Sequence, residues 1–195
     1  PFLACTEAGI GHVRIPAADL TSPLQRERLQ LLREEGVRIS AFWLWREELP
    51  LRQLAQPHVQ MLDAIEVQIT GDLWPSEQCM GALRECRESL GKEVVLTPYL
   101  AREVNPAKYH PRARIGYRPE ELPRLNEHLR THQSSLDRAL CHLDDSGDPL
   151  EAVGAIARSL PLHQVRGFDM VVELPGTDEQ AHADRTAAAI FAAAL

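Results

Sequence analysis

One stretch constrains this chain more than any other, the run Asp63–Gly71 with the sequence DAIEVQITG. From its third residue onward, apolar and polar residues alternate, and a period of two is typical of a β-strand with two different faces. In a barrel of parallel strands, the outer face packs on helices and the inner face lines the centre. We therefore predict that Glu66, Gln68 and Thr70 point into such an interior, where polar groups are costly unless they bind something.

Strand and helix patterns alternate along the rest of the chain. Leucines at helical spacing predict helices. Among them are Leu51–Leu62, which we expect Pro57 to interrupt, and a long helix that begins at Pro119 and includes Leu136. Alternation of this kind is typical of a parallel sheet covered by helices. The predicted strands are His12–Ala17, Val37–Trp45, Asp63–Gly71, Glu93–Leu100, Ala113–Tyr117, Arg138–Leu143 and Gly167–Leu174.

The pattern predicts the α/β class and a single domain over residues 1–195, folded as a parallel (β/α) barrel of the TIM type. A complete barrel has eight strand–helix units in about 250 residues. Seven units in 195 residues therefore predict that one N-terminal strand is missing, and the start at Pro1 without Met agrees with this. An open α/β sheet stays as the alternative, although no Gly-rich phosphate loop follows the first predicted strand.

The composition of the chain excludes several classes of binding partner. The net charge is −7 and the basic residues form no cluster, so we expect no nucleic acid and no anionic membrane surface as partner. The chain contains no run of about 18 apolar residues, so we predict no membrane span. The four cysteines form no CxxC pair, which predicts reduced thiols and a cytoplasmic location. Cys79 and Cys86 lie seven residues apart in one helical pattern, so we expect both thiols to face the core. A small-molecule substrate is the expected partner, and a homo-oligomer stays open.

Catalytic residues in a TIM barrel lie at the C-terminal ends of the strands. Glu66 on the middle strand and Glu173 near the end of the last strand are the first candidates, and His142 and Asp144 share one face of another strand. Each glutamate also has a structural interpretation. Glu66 would be held in the interior by Arg14, and Glu173 would cap the following helix or form an ion pair at the rim.

The candidate substrate-binding residues are Arg14, Gln68, Tyr99 and Trp45. Arg14 would bind an anion or carboxylate if it is not the partner of Glu66. Trp45 shares a strand face with Trp43, so the two rings serve either core packing or the stacking of a sugar.

Two further features stand apart from the strands. His128 and His132 have the i, i+4 spacing that can ligate zinc, but the HExxH glutamate is missing, and a solvated helix face is expected. The segment Ala101–Arg112 has two prolines and no helical period. Because it follows a strand where a helix is otherwise expected, we predict a mobile lid.

With Glu66 on a mid-chain strand and Glu173 on the last one, the alternating pattern resembles the xylose isomerase-like sugar isomerases and epimerases of carbohydrate metabolism. The resemblance implies a divalent metal with Glu66 and Glu173 as the outer ligands, and oxygen ligands suit Mg²⁺ or Mn²⁺. The sequence departs from the family on two strands. Thr97 and Tyr99 replace an expected Asp ligand, and Ala113–Tyr117 has no His. His142 and Asp144 lie one strand later than the His of the family.

These observations lead to an expected function. We expect an enzyme of isomerase or epimerase type that acts on a small polar, sugar-like or hydroxy-acid substrate at the C-terminal mouth of the barrel. A glycoside hydrolase with two carboxylates is the alternative enzyme. A non-catalytic barrel, or one subunit of a larger assembly, is the alternative of a different class.

Overall fold

The computed structural model of the chain describes residues 10–101, 113–143, 148–159 and 164–172, together with 183, 184 and 186. The strands are β1 His12–Pro16, β2 Arg38–Leu44, β3 Ala64–Thr70, β4 Glu93–Ala101, β5 Ala113–Ile115, β6 Leu136–Leu143 and β7 Val165–Val172. The helices are α1 Pro23–Glu34, α2 Leu51–Ala55, α3 Glu77–Leu90, α4 Leu122–Thr131 and α5 Pro149–Ser159. Within these described ranges, no helix has the length and hydropathy needed to cross a bilayer.

The described residues form two compact units. The first contains β1, β2, β3 as far as Ile69, the helices α1 to α3, and β4 as far as Leu96. Its first three strands are parallel and adjacent, with Val13 beside Ile39 and Ala41 beside Ile65. These apolar neighbours share one face, as the alternation in the sequence predicts. The face opposite to them carries the polar residues described below.

Two helices of this unit begin and end as their sequences predict. The Ser22 hydroxyl accepts a hydrogen bond from the Gln25 amide at 3.4 Å, and Ser76 does the same for Cys79 at 3.2 Å. Such N-caps satisfy amides that have no partner inside the helix. The pattern over Leu51–Leu62 gives an α-helix only as far as Ala55 and then a 3₁₀ turn, because Pro57 has no amide hydrogen to donate, and the predicted interruption at Pro57 is confirmed.

The second unit contains residues 70–74, β4 from Thr97 onward, β5 to β7, α4 and α5. Here β6 and β7 are parallel, whereas β5 pairs antiparallel with β4. Gly116 follows β5 with a φ of +100°, and a Cβ at this position would lie 3.0 Å from the Leu140 carbonyl oxygen. Glycine therefore allows the chain to pass close to β6, where Tyr117 forms a parallel bridge with Cys141.

The structure corrects the prediction of a TIM barrel. The α/β class with a largely parallel sheet is confirmed, but the strand order is β1-β2-β3-β4-β6-β7 with β5 on β4. Within the described residues this makes seven strands and five α-helices, and no closed eight-stranded barrel. Only residues 102–112 separate β4 from β5, fewer than the dozen or more that a parallel crossover needs. The short connection explains the antiparallel pair.

A second difference concerns the helix that was predicted from Pro119 to include Leu136. The α-helix ends at Thr131, and Leu136 is the first residue of β6. Gln133 between them has a φ of +48°, a left-handed conformation that ends the helical run. Leu136 lies at a helical spacing from Leu129 by coincidence, and its burial comes from the strand that follows.

Candidate functional site

The polar residues of the first unit lie on one face of β1, β2 and β3. Parallel pairing places Arg14 beside Ser40, Phe42 beside Glu66, and Leu44 beside Gln68. Residues that are in register on neighbouring parallel strands point to the same side of the sheet. We call this set the polar face, and it consists of His12, Arg14, Ser40, Phe42, Glu66 and Gln68.

At its centre, Arg14 and Glu66 form a bidentate ion pair. Arg14 Nε donates to Glu66 Oε2, and Nη2 donates to Oε1. The Glu66 residue is 1% exposed, whereas 30% of the Arg14 side chain remains accessible. The guanidinium carbon lies 4.6 Å from the centre of the Phe42 ring, close enough for a cation–π contact. The expected structural partner of Glu66 is therefore confirmed, and the pair neutralises a buried carboxylate.

Two further polar groups of this face are buried. His12 Nε2 lies 2.6 Å from the hydroxyl of Ser40, which is 2% exposed. Gln68 is 4% exposed, and its backbone carbonyl accepts a hydrogen bond from the Trp45 amide at 2.7 Å. The hydrogen bonds among the described residues leave the side-chain amide of Gln68 unused. A buried amide of this kind has hydrogen-bonding capacity for a ligand.

A cavity of about 460 Å³ lies just beyond β2, lined by residues 46–50. The loop is held by hydrogen bonds from the Leu49 amide to the Arg46 carbonyl at 2.8 Å and from the Leu51 amide to the Leu49 carbonyl at 2.7 Å. It follows Leu44, the register partner of Gln68, at the C-terminal end of the strand. Ligands of parallel α/β sheets bind at this end of the strands.

The two tryptophans, for which core packing and sugar stacking were the alternative predictions, have different environments. Trp43 is 8% exposed and lies beside Val67 on the apolar face, which makes it part of the core. Trp45 comes after the last residue of β2, is partly exposed, and uses its backbone amide to hold Gln68. Of the two rings, only that of Trp45 has exposed surface at this end of the strand.

The remaining predicted residues that are described belong to the second unit. His142 is 3% exposed, and its Nδ1 lies 3.1 Å from the Ile115 carbonyl oxygen. Tyr99 is 37% exposed and pairs in register with Ile115. Asp144, Glu173 and most of the predicted lid lie outside the described residues. A site shared by Glu66 and Glu173 therefore stays a prediction.

Glu66 does not fit the role of a metal ligand in this arrangement. Both of its oxygens accept hydrogen bonds from a cation, so a second cation at the same carboxylate would be repelled. Among the described residues, no group of three or more His, Cys, Asp or Glu side chains has a geometry suited to a metal ion. We assign no chemical step to Mg²⁺ or Mn²⁺.

The buried cysteines are not suited to nucleophilic chemistry. Burial raises the pKa of Cys79 and of Cys141 to about 12. For Cys86, burial and then the neighbouring Glu85 carboxylate raise the pKa to about 11. Thiols with such pKa values stay protonated at neutral pH, and only the thiolate is nucleophilic. The prediction that Cys79 and Cys86 are core-facing thiols is confirmed.

Two residues of the polar face were missed at the level of sequence. Ser40 and Phe42 lie in Val37–Trp45, a run whose two strand faces were both interpreted as apolar. Arg38, Ser40 and Phe42 stand at every second position of this run, and that alternation indicates the polar face. Thr97 is fully buried on β4, and its Oγ1 has no hydrogen-bond partner. No local sequence signal indicates that this hydroxyl lacks a partner.

Neither a scan against protein-family models nor a search of curated proteins finds a match to this chain.

Proposed function

We propose that the polar face binds a small, uncharged, sugar-like molecule, and that the chain is an enzyme of isomerase or epimerase type acting on it. The observation that carries the binding proposal is the bidentate pair of Arg14 and Glu66 with the unused amide of Gln68 close by in the sheet. The type of reaction comes from the resemblance to xylose isomerase-like proteins.

The charge of the face favours an uncharged ligand. The positive guanidinium of Arg14 is compensated by Glu66, so a carboxylate or phosphate would have to compete with Glu66 for the same donors. A sugar hydroxyl both donates and accepts hydrogen bonds, and it needs no unpaired charge. The geometry therefore favours a sugar over the hydroxy acid that the sequence had left open.

The polar face offers both hydrogen-bond donors and a hydrogen-bond acceptor to the hydroxyls of a sugar. Arg14 Nη1 takes no part in the bidentate pair and belongs to a partly accessible side chain. The Gln68 amide offers a donor and an acceptor. In the proposed reaction, Glu66 accepts or returns a proton, and Arg14 holds the carboxylate in one orientation. A glycoside hydrolase would need a second carboxylate. Among the six residues of the polar face only Glu66 is acidic, and the predicted second carboxylate, Glu173, lies outside the described residues.

Binding should be measured first, by calorimetric titration of the full chain with a panel of pentoses and hexoses and with matched hydroxy acids. We expect at least one neutral sugar to bind and the hydroxy acids to bind more weakly. Conversion of the bound sugar should then be followed by NMR. A folded protein that binds hydroxy acids but no neutral sugar would contradict the proposal.

A substitution on the polar face and a matched control identify the site. Gln68→Leu removes the unused amide and should weaken sugar binding at least tenfold. Arg38→Gln is the control, because Arg38 lies at the N-terminal end of β2, opposite to the end where Leu44 pairs with Gln68, and its ion pair with Glu93 at 2.8 Å is exposed. Equal binding by both variants would place the sugar elsewhere.

A further inference from the structure

The end of α4 carries a second feature that the proposed function does not use. His128 lies in the last turn of this helix, and His132 is the residue that caps it. Side chains four residues apart in a helix lie on the same face. The two imidazole rings have their centres 4.7 Å apart and are inclined by 50°. We call these two residues the histidine pair.

We propose that the histidine pair binds one divalent transition-metal ion, with one ring nitrogen from each residue as ligand. Imidazole nitrogen suits Zn²⁺, Cu²⁺ and Ni²⁺, whereas Mg²⁺ and Ca²⁺ prefer oxygen. Nitrogen-to-zinc bonds are about 2.0–2.1 Å long. Rings that are this close and inclined to each other can direct two nitrogens toward a common point at that distance. Water would complete the coordination.

The helix supports a cation at this position. The C-terminal end of a helix carries partial negative charge, because its last carbonyl groups have no amide partner within the helix. The His132 amide donates to the His128 carbonyl at 3.2 Å, so the cap is continuous with the last turn and holds both residues. The backbone therefore fixes the spacing of the two Cα atoms before any metal arrives.

Positive charges near the pair oppose the metal, and Arg130 lies in the same last turn of the helix. Arg124 lies four residues before His128, and its guanidinium carbon is 5.1 Å from the centre of the Trp74 ring. The Trp74 ring is in turn 6.2 Å from that of His128. A positive charge in this neighbourhood should lower the affinity. Removing it without touching either histidine is therefore a sensitive test of where the metal binds.

The fluorescence of Trp74 provides a signal for metal binding. Paramagnetic Cu²⁺ quenches the fluorescence of an indole at short range, and the Trp74 ring is close to the pair. The metal-free full chain should be titrated with Cu²⁺, with Zn²⁺ and with Mg²⁺ as a comparison. We expect quenching by one equivalent of Cu²⁺, competition by Zn²⁺ and no effect of Mg²⁺. Trp74→Phe should abolish most of the quenching but not the binding seen by calorimetry.

Substitutions of the two histidines and of a neighbouring arginine test whether the histidine pair binds the metal. His128→Gln and His132→Gln should each weaken Cu²⁺ binding at least tenfold, and Arg124→Gln should strengthen it. His58→Gln removes a histidine of the first unit and should leave the affinity unchanged. The electron paramagnetic resonance spectrum of the unmutated protein should show two imidazole nitrogens on copper, which tests the proposal even if a variant fails to fold. Unchanged binding in both histidine variants, or a spectrum without nitrogen ligands, would overturn it.

Discussion

Arg14 and Glu66 lie on the two strands that flank β2, and their side chains form a bidentate ion pair across it. The contact joins residues 52 positions apart in the chain. Because Glu66 is almost fully buried and Arg14 is not, the two partners are not equivalent. The consequences for stability are therefore asymmetric.

Removing the arginine should cost more than removing the glutamate. Arg14→Met leaves a buried carboxylate without its partner and should lower the free energy of unfolding by about 2–4 kcal/mol. Glu66→Gln leaves a guanidinium that reaches solvent and should cost about 1–2 kcal/mol. Urea denaturation monitored by circular dichroism measures both, and Arg38→Gln, in an exposed pair, should cost less than about 1 kcal/mol. A larger loss for Glu66→Gln would refute the asymmetry.

At Thr97 we predict a substitution that increases the free energy of unfolding. Its hydroxyl is buried without a hydrogen-bond partner, so folding removes it from water with no compensation. Thr97→Val, which replaces the hydroxyl by a methyl group of similar shape, should raise the free energy of unfolding by about 1 kcal/mol. Val95→Thr on the same strand, which buries a new hydroxyl, should lower it. Destabilisation by Thr97→Val would mean that the hydroxyl has a partner in solution.

Gly116 tests the close approach of the chain to β6. Gly116→Ala combines an unfavourable φ with a Cβ that lies 3.0 Å from a backbone oxygen. We expect a loss of about 2–3 kcal/mol in the free energy of unfolding. Gly91→Ala is the matched control, because its φ is +61° but a Cβ there would meet nothing within 4 Å. It should cost about 1 kcal/mol. Equal losses for the two variants would show that the conformation alone matters.

His58 predicts a dependence of stability on pH. Burial, and then the positive charge of Arg26, lower the pKa of His58 below its ordinary value of 6.5 in the folded protein. The unfolded chain takes up this proton at a higher pH than the folded protein does, so protonation favours unfolding. Stability present above about pH 6.5 should decrease as the pH falls through the folded-state pKa. His58→Gln should show a shallower decrease in urea midpoint over this range, and an unchanged slope would contradict the assignment.

The sequence by itself determined the local elements. Period-two alternation identified β3, Ser22 before a proline identified the start of α1, and Gly91 identified the end of α3. These signals depend on interactions between residues that are close in the chain. Local chemistry also predicted that Glu66 needs a partner, because a lone buried carboxylate is costly.

Only the tertiary structure decided how the strands are arranged. The direction of β5 and the order of the seven strands in the described part of the chain, which form no eight-stranded barrel, depend on pairings between distant segments. Hydrophobic periodicity does not encode such pairings. The same holds for the polar face. Arg14, Ser40 and Glu66 are separated by whole helices in the chain, and the parallel register of three strands brings them together.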